Sequence, residues 1–196
     1  MGYDNPVNGV RKFLHVGTLL VAALFAACGG PSHLYGNIFV PAKKAPSIEL
    51  VDQNGRAFSL TDERGKVVAL YFGFTHCSDV CPATLALLGK AVRASGVASR
   101  TRIIFVSVDP KRDTPAALRA FIRRVGVTAT GLSGTLAQLQ PIWKAYGVSV
   151  EPHRSDIGHS DYIYYIDPSG RLRVLASTSE SLAHLSENFR NLLTHS

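Results

Sequence analysis

The stretch YFGFTHCSDVCP, residues 71–82, sets Cys77 and Cys81 four positions apart behind an apolar run. Two thiols at that spacing allow three chemistries: a structural disulfide, a redox couple, or part of a soft-metal site. Closing so short a loop removes little chain entropy, which argues against a purely structural bridge. The usual redox motif has two residues between its cysteines, whereas here there are three, Ser78, Asp79 and Val80. Asp79 puts an acid beside any thiolate and opposes it electrostatically. Two thiolates are also soft ligands suited to Cu(I) or Zn(II). Such a site needs a third ligand.

Histidine is the obvious source, and there are seven. His15 and His33 precede any regular pattern. His184 and His195 lie on or after the last helical segment and read as surface residues. His76 abuts Cys77, but in extended backbone its side chain points the other way. His153 and His159 remain. Position favours His159, in DIGHSD (156–161) just ahead of an apolar strand pattern. By pattern alone it is equally well a polar loop residue.

The rest of the chain bounds the answer. Its 196 residues, 46% hydrophobic and 18% charged, make one globular domain plus an appendage. A core of this size needs no disulfide scaffold, and three cysteines could not supply one. The net charge of +7 is spread over scattered basic pairs rather than a basic and aromatic stripe. That pattern excludes a nucleic-acid surface and leaves a solvated cationic one, or contact with anionic lipid or an acidic partner.

The N terminus reads as an address. Arg11 and Lys12 precede twelve apolar residues, Val16 to Ala27, where a spanning helix would need about 20. The run ends FAAC, with Cys28 last. This resembles a bacterial lipoprotein signal, with Phe25 where leucine is usual. On that reading residues 1–27 are a signal peptide, Cys28 is an acylated first residue, and the protein is exported and membrane-anchored facing the periplasm; the alternatives are ordinary cleavage near the same alanines and an uncleaved anchor, and each of them exports the domain. Residues 28–46, rich in Gly, Pro and Lys, read as a tether. Cys77 and Cys81 become the only thiols of the exported domain, and an oxidising compartment tends to join them as a disulfide.

From residue 47 the pattern becomes regular. Residues 48–60 read as a hairpin around the turn DQNG. VVALYFGF (67–74) and IIFVSV (103–108) are continuous apolar runs, as for strands buried on both faces. Helices are predicted over 82–95, from Thr114–Pro115 to about 125, over 135–146, and over 181–193. A second hairpin spans 162–176 around DPSG. Two buried strands joined by a helix imply a right-handed parallel crossover. The plan is α/β: a thioredoxin-like domain over 47–196, its central mixed sheet flanked by helices, with an added N-terminal β-hairpin.

These motifs together resemble the Sco/SenC family. They are FGFTHCSDVCP (72–82), SVDPKRDTP (107–115), GLSGT (131–135), YGV (146–148), GHS (158–160) and YIDPSG (165–170). The family comprises thioredoxin-like copper-binding proteins of cytochrome c oxidase assembly. The resemblance implies copper, as Cu(I) or Cu(II), held by Cys77, Cys81 and His159. Ser78 stands where the family often has Pro, and Gly158 where it often has Asp. Asp109 and Asp113 match family positions and read as loop and cap residues. The implied role is a metallochaperone rather than a turnover enzyme. It takes copper from a donor and supplies the dinuclear copper site of oxidase subunit II, or another copper-site protein. The alternative is a thiol–disulfide reductase that keeps the recipient's cysteines reduced, with Cys77 attacking and Cys81 resolving. A thiol peroxidase shares the fold but has no specific support in the residues.

Overall fold

The computed structural model describes residues 1–2, 33–152 and 157–194. Residues 3–27 of the signal segment, with His15 among them, and Cys28, His153 and His195 lie outside the described residues. Residues 31–196 form one compact unit.

The VVALYFG run becomes strand β4 (Val67–Gly73), buried at every position. Its parallel neighbour is β5 (Thr101–Ser107). They are joined by helix α1 (Val80–Ser95), which ends where Gly96 takes a left-handed conformation, φ 73°. Helix α2 (Pro115–Val125) starts where the Thr114 hydroxyl accepts from the Ala117 amide. Helix α3 (Leu136–Tyr146) starts with a reciprocal box in which the Thr135 and Gln138 side chains each accept from the other's backbone N–H. The expected hairpins form as β2 (Glu49–Asp52) with β3 (Ala57–Ser59), and β9 (Tyr162–Ile166) with β10 (Arg171–Ser177). Helix α4 (Leu182–Thr194) packs against α1.

Three elements depart from the sequence expectation. Residues 37–44, read as tether, form an edge strand β1 (Asn37–Lys44) antiparallel to β10. Most of its side chains are exposed and its register shifts between Ile38 and Lys43, so no alternation marks it. The preceding residues are pinned to α4. The Tyr35 amide donates to Asn188 Oδ1 at 2.8 Å, and Asn188 Nδ2 donates back to the Tyr35 carbonyl at 2.9 Å. The second departure is a four-residue strand β6 (Thr130–Ser133), parallel to β5. The third is a short hairpin of β7 (Val150–Pro152) and β8 (Ile157–His159).

The main sheet has eight strands in the order β1-β10-β9-β4-β5-β6-β2-β3, with β4, β5 and β6 parallel and the remaining pairings antiparallel. The central strands carry the core: Leu70, Tyr71, Phe72, Ile104 and Phe105 are fully buried. Each such side chain contributes about 1.5–3 kcal/mol by leaving water. The carboxyl ends of β4 and β5 therefore form a rigid rim from which the cysteine loop and the Asp109 loop emerge.

Candidate metal and thiol site

The cysteine loop follows β4. Its first turn is closed by the Cys77 amide donating to the Phe74 carbonyl at 3.3 Å. Helix α1 begins at Val80, so Cys81 sits in its first turn, and its amide, one of the free donors there, reaches Cys77 Sγ at 3.3 Å. The i, i+4 relation expected from the spacing is thus realised. Asp79 stands at the helix cap but is exposed and makes no capping bond with its side chain.

The two sulfurs are unequal. Both are free thiols, Cys77 partly exposed and Cys81 fully buried. Cys81 Sγ lies so close beneath Gly73 that a Cβ there would stand 2.9 Å from it and 2.6 Å from the Phe105 ring. Only glycine fits. Burial pushes the Cys81 thiol up from 9.0 to about 12, with the neighbouring Cys77 adding to the rise and bonds from Phe74 and Tyr71 moderating it. Folding raises this value, so the folded chain holds the proton longer than the unfolded one. The linked stability is full below the unfolded value and is lost as pH climbs toward about 12. At pH 8, iodoacetamide should alkylate Cys77 at least about tenfold faster than Cys81. Mass-spectrometric peptide mapping of the reduced protein checks this, and equal rates would refute the asymmetry.

The third sequence candidate arrives through β8. Its last residue, His159, pairs with Val150 across the β7–β8 hairpin. The Ser149 amide donates to Ser160 Oγ at 3.0 Å, and the Ser160 amide to the Ser149 carbonyl at 3.2 Å. His159 Nε2 lies 3.9 Å from Cys81 Sγ, across 78 residues of chain. Its Nδ1 lies 2.9 Å from the Ser160 carbonyl oxygen. A carbonyl only accepts, so Nδ1 carries the hydrogen, and in the neutral ring Nε2 presents its lone pair toward the sulfur. The Phe74 and Tyr71 rings meet the imidazole edge to face, with centroids at 5.9 and 6.4 Å, and fix its plane.

Residues that composition did not single out complete the site. Tyr71, on β4, is fully buried, and its hydroxyl lies 2.8 Å from Asp161 Oδ1 and 3.7 Å from Cys81 Sγ. Burial, with Cys81 and Asp161 beside it, raises its pKa far above the ordinary range. Asp161 Oδ2 accepts from the Thr178 hydroxyl. Asp113 is no cap: Thr114 caps α2, and Asp113 is fully buried behind the cysteine loop. It accepts from the Thr75 amide at 3.0 Å and from the Thr75 and Ser107 hydroxyls, each at 2.7 Å. Asp109 is a loop residue, as read, paired with Arg112, whose guanidinium lies over Phe74.

Among the described residues, His76, Asp109 and Asp113 have ligand-type atoms within 4.8 Å of one another. Both carboxylates are already engaged, Asp113 by three donors and Asp109 by Arg112. Cys77, Cys81 and His159 do not meet that spread as a trio. Cys81 Sγ meets His159 Nε2 and the Cys81 amide meets Cys77 Sγ, so Cys81 is the shared member of the set and Cys77 its partly exposed member. A cavity of about 890 Å³ lies beyond the Asp109 loop, lined by Val108, Leu136, Trp143 and Ile157 among others, with no cysteine or histidine among the described residues of its wall.

Comparison with known proteins identifies the family and the fold. The SCO1/SenC family model matches residues 40–194. The mitochondrial SCO2 homolog of Bos taurus is 34% identical over 150 residues, 72% of this chain and 56% of that protein. The structure of Bradyrhizobium japonicum ScoI with copper bound superposes with a TM-score of 0.69 at 31% identity, covering 76% of this chain and 98% of that one. BsSco, described with a disulfide switch as a member of the Sco family of cytochrome c oxidase assembly proteins, shares the fold. Its TM-score is 0.69 at 22% identity, over 83% of this chain and 99% of that one. The thioredoxin-like mixed sheet, the cysteine pair at the end of β4 and the histidine brought to it by β8 have one setting in common: this chain belongs to the SCO1/SenC family.

Proposed function

We propose that this chain is an exported copper-binding metallochaperone that carries copper between Cys77, Cys81 and His159. The recipient is the dinuclear copper site of cytochrome c oxidase subunit II or another copper-site protein. One observation carries the reading: a buried sulfur and an imidazole lone pair 78 residues apart meet at 3.9 Å. With bonds of about 2.3 Å to sulfur and about 2.0 Å to nitrogen, that 3.9 Å edge spans an angle of roughly 130° at a shared ion. Such an angle suits a three-coordinate S,S,N set for Cu(I), and an added ligand accommodates Cu(II).

Copper is the cargo here. Cys81 and His159 form the fixed part of its cradle, and partly exposed Cys77 is the ligand that a recipient can displace first. Joining Cys77 to Cys81 by exchange with a partner disulfide, which takes up the two electrons and two protons, leaves no thiolate to bind, so oxidation empties the site and a partner dithiol, by the reverse exchange, reopens it. A separate donor loads it, and an acyl chain on Cys28 holds the domain at the periplasmic face of the membrane.

The second reading, a thiol–disulfide reductase acting on the recipient's cysteines, is favoured by the partly exposed Cys77 and buried Cys81, the arrangement of an attacking and a resolving thiol. His159 separates the two, because a reductase has no use for a distant imidazole. The expected result is that His159→Ala weakens copper binding more than about a hundredfold, beyond what supporting residues cost. Oxidation of the dithiol proceeds as in the wild type. Equal copper affinity in the two proteins, by competition with a chromophoric chelator, would favour the reductase.

A further inference from the structure

Three elements converge on one hydroxyl group. Tyr71 comes from the middle of β4, Cys81 from the first turn of α1, and Asp161 from the two-residue link between β8 and β9. The Tyr71 oxygen lies 2.8 Å from Asp161 Oδ1 and 3.7 Å from Cys81 Sγ. Asp161 is fixed at its other oxygen by Thr178, which follows β10. The same tyrosine ring stands edge-on to His159, two residues before Asp161.

We propose that Tyr71 and Asp161, seated by Thr178, are positioning residues that set the distance between Cys81 and His159. This deepens the copper-carrier reading and rests on it for the metal. The β7–β8 hairpin is three residues a side, and its pairing holds it to itself rather than to the main sheet. Asp161 is the point at which a side-chain bond ties that link to β4, the most buried strand of the core. Tyr71 touches one ligand through its oxygen and the other through its ring, so a single rigid side chain spans the gap between them. A carboxylate accepting from two hydroxyls is held in one orientation, which fixes where the backbone at 159–161 lies.

The hydroxyl is separable from the ring. Tyr71→Phe keeps the packing of the aromatic and removes the tie, Asp161→Asn weakens it from the other end, and Thr178→Ser keeps the supporting hydroxyl where Thr178→Val loses it. In the reduced, metal-free protein, hydrogen exchange of the 159–162 amides should speed up several-fold in Tyr71→Phe, Asp161→Asn and Thr178→Val. Thr178→Ser should retain the wild-type rate. With copper, Tyr71→Phe should lower affinity about tenfold to a hundredfold while one equivalent still binds. The Cu(II) spectrum should show a weakened imidazole nitrogen coupling. In a His159→Ala background the same Tyr71→Phe change should cost nothing further. Unchanged exchange at 159–162 in Tyr71→Phe would overturn the proposal, as would an equal copper loss with and without His159. If the exchange behaves as expected but the wild type takes up no copper, the positioning role stands and the copper reading fails.

Discussion

Cys81→Ser lowers the affinity of the reduced protein for Cu(I) by more than about a hundredfold, the largest expected loss of any single replacement. The effect exceeds that of Cys77→Ser because of where the two sulfurs sit. Cys81 is the shared member of the site. Its sulfur meets His159 Nε2, its amide meets Cys77 Sγ, and Gly73 and Tyr71 hold it in place. A serine oxygen occupies nearly the same volume but is a hard ligand with little affinity for Cu(I). Cys77 lies at the rim, and a thiol from solvent or from a partner can substitute for it in part. Chelator competition on both variants gives the ranking, with circular dichroism showing that the fold is kept. Equal losses in the two, or the greater loss in Cys77→Ser, would refute the division into a fixed and an exchangeable thiol.

The second large effect is on stability. Asp113→Ala is expected to cost about 3–5 kcal/mol, since it strands a buried amide and two buried hydroxyls at about 1–3 kcal/mol for each unsatisfied donor, partly relieved by water entry. Asp113 ties Thr75, at the start of the cysteine loop, to Ser107, at the end of β5. Losing it loosens the loop on which Cys77 stands, so copper affinity falls along with the melting temperature. Burial raises the Asp113 pKa above its ordinary 3.8 against the lowering pull of Thr75 and Ser107. The folded chain therefore keeps this proton longer than the unfolded one. The linked stability is full below about 3.8 and is lost as pH rises through the raised value. Urea unfolding across that range should show this slope in the wild type and not in Asp113→Asn. A melting temperature within a degree of wild type in Asp113→Ala would show that the three bonds contribute little.

These two residues also mark what was legible in the sequence. The central strands were visible because they are buried on both faces and read as unbroken apolar runs. The helix start at Thr114 was visible because capping is local chemistry, and the helix over 135–146 by its stop at Gly147. Strand β1 was not, since an exposed edge strand with a register shift has no alternation to detect, and its anchor, Asn188, lies 153 residues from Tyr35. Strands β6, β7 and β8 are three or four residues long and owe their existence to neighbours. The cysteine pair announced itself by spacing. His159 did not: pattern alone left it a loop residue, the family resemblance singled it out, and the β7–β8 hairpin is what carries it to Cys81. Tyr71 was concealed inside a run that reads as plain core, because periodicity registers its ring and is silent about where its hydroxyl ends. Asp113 sat one place before a genuine cap and was read as one. Asp79, expected to weigh on the thiolates, stands exposed at the helix start without a capping bond.

The copper site is tested most directly by X-ray absorption at the copper edge on the reduced protein loaded with one equivalent of Cu(I). The expected spectrum fits two sulfurs and one nitrogen per copper, with the nitrogen lost in His159→Ala. Two sulfurs alone, unchanged by His159→Ala, would contradict a three-ligand site and leave the cysteine pair as a dithiol to which the imidazole is only a neighbour.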